Sequence, residues 1–138
     1  MPTGGCMCGN VRYEVQGDAA AQAKENAQVL CHCYDCRKIS GSTYSSNGMY
    51  STDGFKVIQG TPKQHKTKAD SGNEIVSYFC GDCGSTMWRQ GDSFPGKMII
   101  KMGTLDDTSI LDNFHANAEL FTKNRPKWVG TQEGAAQN

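Results

Sequence analysis

Seven cysteines are the residues best suited to chemistry in this chain. They fall into three groups: Cys6-x-Cys8, Cys31-x-Cys33-x-x-Cys36 and Cys80-x-x-Cys83. Two thiolates presented by one tight turn can share a tetrahedral Zn²⁺ at Zn–S distances near ~2.3 Å. Gly9 and Gly84 directly follow the second cysteine of their pairs. Glycine takes positive φ there at little cost and lets backbone N–H groups approach sulfur. A redox dithiol at Cys80-x-x-Cys83 would call for a strand-to-helix junction in an α/β fold, and the surrounding sequence offers no such pattern. Metal ligation is therefore the reading for all three groups.

Counting ligands divides the labour. Cys6, Cys8, Cys80 and Cys83 supply four ligands and close a structural site. Cys31, Cys33 and Cys36 supply three, which leaves a coordination position for water or substrate. The expectation is two zinc ions per chain. A competing partition builds a zinc ribbon from Cys33, Cys36, Cys80 and Cys83 and leaves Cys6, Cys8 and Cys31 without a metal. Spacing leaves both partitions open, and the first gives every cysteine a role.

Three thiolates outweigh the charge of Zn²⁺, so such a zinc is a weaker Lewis acid than one held by neutral imidazoles. It is better suited to gathering a fourth sulfur and keeping it as thiolate near neutral pH. A thiolate held there can add to an aldehyde carbon, or leave in the reverse reaction. The partners this implies are a small-molecule thiol and its carbonyl or thioether adduct. His32 lies between two ligands, and strand alternation turns it away from their metal; a supporting role is expected, with acid–base work as the alternative. Arg37 and Lys38 follow Cys36 and suit a substrate carboxylate, or else face solvent. Ser40 and Gly41 are candidates to line the pocket through backbone N–H groups, and also simply suit a turn.

The elements that must position these groups read as β. Val11, Tyr13 and Val15 alternate with Arg12 and Glu14; Phe55 and Val57 repeat the period, as do Met98, Ile100 and Met102. Ile75 to Phe79 reads as a more buried strand running into Cys80. Turn signals separate them at Asp53-Gly54, Gly60-Thr61-Pro62, Ser71-Gly72-Asn73 and Ser93-Phe94-Pro95-Gly96. Asp18 to Gln28 has helix propensity but only alanine for an apolar face, so it reads as a mobile loop or one loose helix. Thr131 to Asn138 reads as a frayed tail. Asp106 and Asp107 suit a turn or cap. Trp88, Phe94 and Trp128 read as core or pocket wall, while His65 and His115 carry no sign of ligation.

A chain of 138 residues fits a single domain spanning residues 1–138. Hydrophobic residues make up 37%; counting glycine and leaving out tyrosine raises this to about 45%, a lean core that cross-links would help. Fourteen basic and fourteen acidic side chains cancel, so there is no overall attraction to nucleic acid. The Lys63, His65, Lys66, Lys68 cluster reads as a solvated strand face. No apolar run approaches a membrane span, and the N-terminus lacks the pattern of a secretory signal. Seven cysteines cannot all pair within one chain, so a reducing, cytoplasmic setting is expected. The oligomeric state has no signature in the sequence.

Gly5-Cys6-Met7-Cys8-Gly9-Asn10-Val11-Arg12-Tyr13, Cys31-His32-Cys33-Tyr34-Asp35-Cys36-Arg37-Lys38-Ile39-Ser40-Gly41 and Phe79-Cys80-Gly81-Asp82-Cys83-Gly84-Ser85 occur in this order. Together with Gly103-Thr104-Leu105-Asp106-Asp107 they resemble the glutathione-dependent formaldehyde-activating enzyme family, the type that includes centromere protein V. The resemblance implies a mainly β fold, a β-tent of small antiparallel sheets stapled by zinc. It also implies a structural zinc on Cys6, Cys8, Cys80 and Cys83, and a catalytic zinc on Cys31, Cys33 and Cys36. The implied activity is that of a carbon–sulfur lyase joining glutathione and formaldehyde, like S-(hydroxymethyl)glutathione synthase. Two alternatives stand beside it: the same chemistry on a larger sulfur-containing or glutathionylated metabolite, and a non-catalytic zinc-stapled interaction module. The stretch between Val15 and Cys31 is longer than the family's pattern and leads into the three-cysteine site.

Overall fold

The computed structural model describes residues 2–16, 28–69 and 71–138. The strands are β1 (Thr3–Gly5), β2 (Arg12–Val15), β3 (Gln28–Cys31), β4 (Ser45–Ser51), β5 (Phe55–Gln59), β6 (Lys63–Lys68), β7 (Glu74–Phe79), β8 (Thr86–Gly91), β9 (Lys97–Lys101), β10 (Ala118–Leu120) and β11 (Ala136–Gln137). Two short helices join them, α1 (Tyr34–Ser40) and α2 (Thr108–Asp112). The chain is mainly β. Most of the segment read as a loop or loose helix, Asp18 to Gln28, lies outside the described residues; its last member, Gln28, opens β3.

A three-stranded antiparallel sheet has the order β1-β2-β5, and a larger sheet has the order β11-β10-β3-β4-β9-β8-β7-β6. The larger sheet departs from the expected small antiparallel units. It has eight strands and is mixed, because β10 runs parallel to both β3 and β11.

Alternation explains where the core sits. Tyr13 and Val15 on β2, Trp88 on β8, and Met98 and Ile100 on β9 join Tyr50 and Met102 in one buried cluster. Opposed pairs such as Trp88–Ile100 and Tyr50–Met98 share a face, because side chains of paired residues project the same way. Trp88 is the hub, with Phe55 at 4.7 Å, Tyr78 at 5.1 Å and Tyr13 at 5.7 Å between ring centroids. Each such buried side chain contributes roughly 1.5–3 kcal/mol of burial, with aromatic contacts adding up to about 1.5 kcal/mol.

The opposite face of the larger sheet sets buried Val29 and Met49 among polar side chains that are buried as well: Asn47, Ser77 and Arg89 are all inaccessible. β7, expected as a buried strand, is only half-buried apart from Ser77, because its outer neighbour β6 is the exposed edge. That edge carries Lys63, His65, Lys66 and Lys68, largely solvated as their composition suggests. Phe94 and Trp128 are exposed rather than core, Trp128 at 79%.

The final residues do not fray as the sequence suggests. Ala136–Gln137 pairs with β10, the Asn138 N–H donates to the Glu119 carbonyl, and Thr122 donates to the Asn138 carbonyl. The buried carboxylate of Glu119 binds this segment from inside, accepting from the Gln132 N–H at 2.9 Å and Gln137 Nε2 at 2.7 Å. A polar tail becomes ordered because it satisfies a buried charge. Truncation after Gly130 should therefore lower unfolding free energy by roughly 2–5 kcal/mol in urea titrations; a frayed tail would leave the midpoint unchanged.

Candidate metal centres

The first cluster lies where two sheets meet. Cys6 and Cys8 sit in the β1–β2 connection, and Cys80 and Cys83 in the β7–β8 connection. Both turns are built alike. Cys6 N–H donates to the Val11 carbonyl and Gly9 N–H to the Cys6 carbonyl; Cys80 N–H donates to the Ser85 carbonyl and Gly84 N–H to the Cys80 carbonyl. Gly9 (φ 82°) and Gly84 (φ 78°) take the left-handed conformation that reverses each turn. Val11 N–H then reaches Cys6 Sγ at 3.2 Å, and Asp82 N–H reaches Cys80 Sγ at 3.4 Å. The turns are tied to each other by Asn10 Nδ2 to Asp82 Oδ2 (2.8 Å) and by Met7 N–H to Ser85 Oγ (3.0 Å).

The four sulfurs lie within 4.8 Å of one another. Cys6–Cys8 and Cys8–Cys80 are separated by 3.6 and 3.7 Å. Sulfurs at tetrahedral corners about ~2.3 Å from one ion would stand ~3.8 Å apart, so the donor set fits a tetrahedral metal. The Ser85 hydroxyl and N–H lower the Cys83 thiol to about 5. Cys8 is raised to about 12: the Asn10 N–H favours its thiolate, but desolvation and the neighbouring thiols oppose it more strongly together. Cys83 is thus biased toward the thiolate that metal binding requires, and an ion would displace protons held by the other thiols.

The second cluster is at the β3–α1 corner. Cys31 ends β3, Cys33 is the N-cap of α1, and Cys36 lies in its first turn. The Cys33 sulfur accepts from the Cys36 N–H at 3.3 Å, so one thiol is both cap and candidate ligand. Gly41 ends the helix in the left-handed conformation (φ 64°) and donates its N–H to the Arg37 carbonyl. The three sulfurs lie within 4.8 Å of one another, with Cys31 and Cys36 buried. Hydrogen bonds from Cys31 and Cys33 pull the Cys36 thiol down to about 2, while contacts with Cys33 and Cys36 push Cys31 up. Each cluster could hold a metal ion; the ribbon grouping of Cys33 and Cys36 with Cys80 and Cys83 is not formed.

The residues around the second cluster divide sharply. His32 turns away from the sulfurs, fully buried, and its Nε2 meets Glu119 Oε1 at 2.8 Å. Arg37 sits over the Tyr34 ring at 5.4 Å, and Lys38 is exposed. Ser40 donates its hydroxyl to the Cys36 carbonyl at 2.6 Å, and the Gly41 N–H is used by the helix cap. The Gly41 N–H, a candidate to face the pocket, is therefore occupied within the helix.

Three residues the sequence did not single out are here as well. Ser45, opposite Cys31 in the β3–β4 register, favours the Cys36 thiolate. Lys101 Nζ donates to Asn47 Oδ1 at 2.7 Å, and the three cluster thiols lie close enough to act on its charge. Burial lowers the Lys101 ammonium, with Arg89 adding to the effect and the thiols opposing it. The only sequence signal was alternation, which places Lys101 on the face opposite Ile100.

A mainly β chain whose cysteines form one four-sulfur and one three-sulfur cluster, each able to hold a metal ion, defines a narrow class. The sequence model of the family described as glutathione-dependent formaldehyde-activating enzyme matches residues 1–124. The chain belongs to that family. A crystal structure of a Rhodobacter sphaeroides protein is similar in fold, with a TM-score of 0.59 and 20% identity over 76% of this chain and 88% of that one. No curated protein gives a significant sequence match.

Glu119 anchors the second cluster from behind through His32. Burial opposes its ionisation, yet the Gln132 N–H, Gln137, His32 and the charge of Arg125 hold its carboxyl at about 2, below an ordinary 4.5. A depressed carboxyl stabilises the fold above its unfolded pKa and ceases to as pH falls through the folded one. Between pH 4.5 and 2, wild type should therefore lose about 3 kcal/mol more than Glu119→Gln, read from denaturant midpoints at each pH. Parallel curves for the two proteins would remove Glu119 as an acid-sensitive anchor.

Proposed function

We propose that the chain is a zinc-dependent carbon–sulfur lyase that forms and cleaves adducts between a small-molecule thiol, glutathione in the first instance, and formaldehyde. The observation that carries this reading is a separate three-sulfur cluster, with two of its cysteines buried, in a chain of the formaldehyde-activating family. Sulfur-only donors at these spacings suit Zn²⁺ better than Mg²⁺ or Ca²⁺, which take oxygen ligands. Cys6, Cys8, Cys80 and Cys83 would hold a structural zinc joining the two sheets; Cys31, Cys33 and Cys36 would hold a reactive one, giving two per chain. Zinc bound by three thiolates supplies a position for a fourth sulfur and a charge that polarises a carbonyl oxygen.

The chain's own groups set up that position. The Cys36 N–H orients the Cys33 sulfur, the first turn of α1 places Cys36, and β3 fixes Cys31. Buried Cys31 and Cys36 limit water at the sulfurs. The substrate sulfur adds to the aldehyde carbon and the carbonyl π pair passes to oxygen, which takes up a proton equal to the one the thiol released. Arg37 and Lys38, on the outer part of α1, would supply positive charge to the thiol's carboxylates. His32 is assigned to support through Glu119 rather than to proton transfer. A purely structural module would have no use for a three-ligand set. Seven unpaired thiols and zero net charge suit a cytoplasmic protein that handles small molecules rather than nucleic acid.

Elemental analysis should find two zinc ions in wild type and about one in a folded Cys36→Ser protein. The latter should form S-(hydroxymethyl)glutathione from glutathione and formaldehyde about 100-fold more slowly or worse, by NMR. Cys83→Ser should lose folded structure by circular dichroism. One zinc per wild-type chain, or no rate above the uncatalysed reaction in a two-zinc protein, would sink the proposal.

A further inference from the structure

The face of the larger sheet opposite the aromatic cluster carries polar groups that the reading above does not use. Strand register arranges them in rows. Cys31 opposes Ser45; in the next row Val29, Asn47 and Lys101 lie side by side on β3, β4 and β9. Lys101 thus stands one row from a candidate ligand, on the same face. Asn47 is buried to 2% exposure, and its amide is fixed. Its Nδ2 donates to the Ser45 carbonyl at 3.1 Å, the Ser45 hydroxyl at 2.9 Å and the Val29 carbonyl at 3.3 Å. Its Oδ1 is thereby aimed at Lys101 Nζ. An ammonium has three donors, and this bond uses one. Among the described residues, the carboxylate ion pairs are Arg12–Asp106, His32–Glu119 and Arg125–Glu119; none includes Lys101 or its buried neighbour Arg89. A buried guanidinium at Arg89 beside a part-buried ammonium at Lys101 is costly without a negative partner.

We propose that Lys101, positioned by Asn47, binds the negatively charged oxygen that appears next to the reacting sulfur at the three-cysteine cluster. This deepens the lyase reading and rests on it. When a thiolate adds to formaldehyde, the S–C bond forms and the C=O π pair becomes an alkoxide on the atom two bonds from sulfur. A preorganised N⁺–H donor at that atom favours the transition state over the neutral carbonyl. The alkoxide then takes a proton from water, matching the proton given up by the thiol. In the reverse direction, the same contact favours the alkoxide from which the thiolate departs. Lys101 differs from Arg37 and Lys38 in being held by the sheet rather than carried on the outer part of α1.

The test uses zinc-loaded full-length protein and two non-reacting thiols of similar size, mercaptoacetate and mercaptoacetamide. Both place an oxygen near the sulfur, and only the first makes it anionic. Calorimetry on wild type should show about 10- to 100-fold tighter binding of mercaptoacetate. Lys101→Met should retain both zinc ions and lose that preference, while Lys101→Arg should keep most of it. No preference in wild type, or a preference that survives in Lys101→Met, overturns the assignment. So does a Lys101→Met protein that sheds the second zinc, because Lys101 would then balance the cluster's own charge. If wild type binds neither thiol, the lyase reading falls and takes this inference with it; if it binds both equally, only the role of Lys101 falls.

Discussion

Sulfur crowding is the constraint to which the rest of this structure answers. Two groups of thiols lie with their sulfurs within 4.8 Å, and ionised thiolates at that distance repel unless they share protons or a cation. The backbone at both clusters is shaped to hold them regardless. Paired glycine turns, N–H donors to sulfur and the Asn10–Asp82 bond fix the first cluster. A strand end and a helix cap fix the second. The first draws together turns from both sheets and so acts on the whole fold. The second is confined to the corner between β3 and α1.

The larger sheet separates the aromatic core from the cysteine-bearing set by its two faces. One face packs Tyr50, Trp88, Met98 and Ile100 against the three-stranded sheet. The other sets Cys31, Ser45, Asn47 and Lys101 in adjoining rows. Because side chains alternate strictly, the residues that make the core also determine where the polar set points. A one-residue slip of β9 would bury Lys101 in the aromatic cluster and remove Ile100 from it, so the core protects the geometry of the site.

Glu119 links the chain's end to the second cluster. Its carboxylate receives His32 on one side and Gln132, Gln137 and Arg125 on the other. The parallel pairing of β10 with β3 places it directly opposite Leu30, one residue before Cys31. Buried charges with this many donors fix one arrangement of the elements around them, and here those elements include the strand that carries a candidate ligand.

Much of the chemistry was legible in the residues alone. Cysteine spacing, the glycines after Cys8 and Cys83, and the alternation in β2, β5 and β9 are local signals, because turn geometry and strand period act over a few residues. They determined the cysteine groups, the mainly β class and the direction in which His32 points. The sequence could not choose between the two cysteine partitions, since which turns meet depends on contacts more than seventy residues apart. Nor did it show β4, whose polar Ser45-Ser46-Asn47 stretch has no apolar period and is buried only because β3 and β9 flank it. The ordered C-terminus and the placing of Lys101 beside the three thiols were likewise decided by tertiary structure. A buried charge acquires its partners from strands distant in sequence, and only their register brings them together.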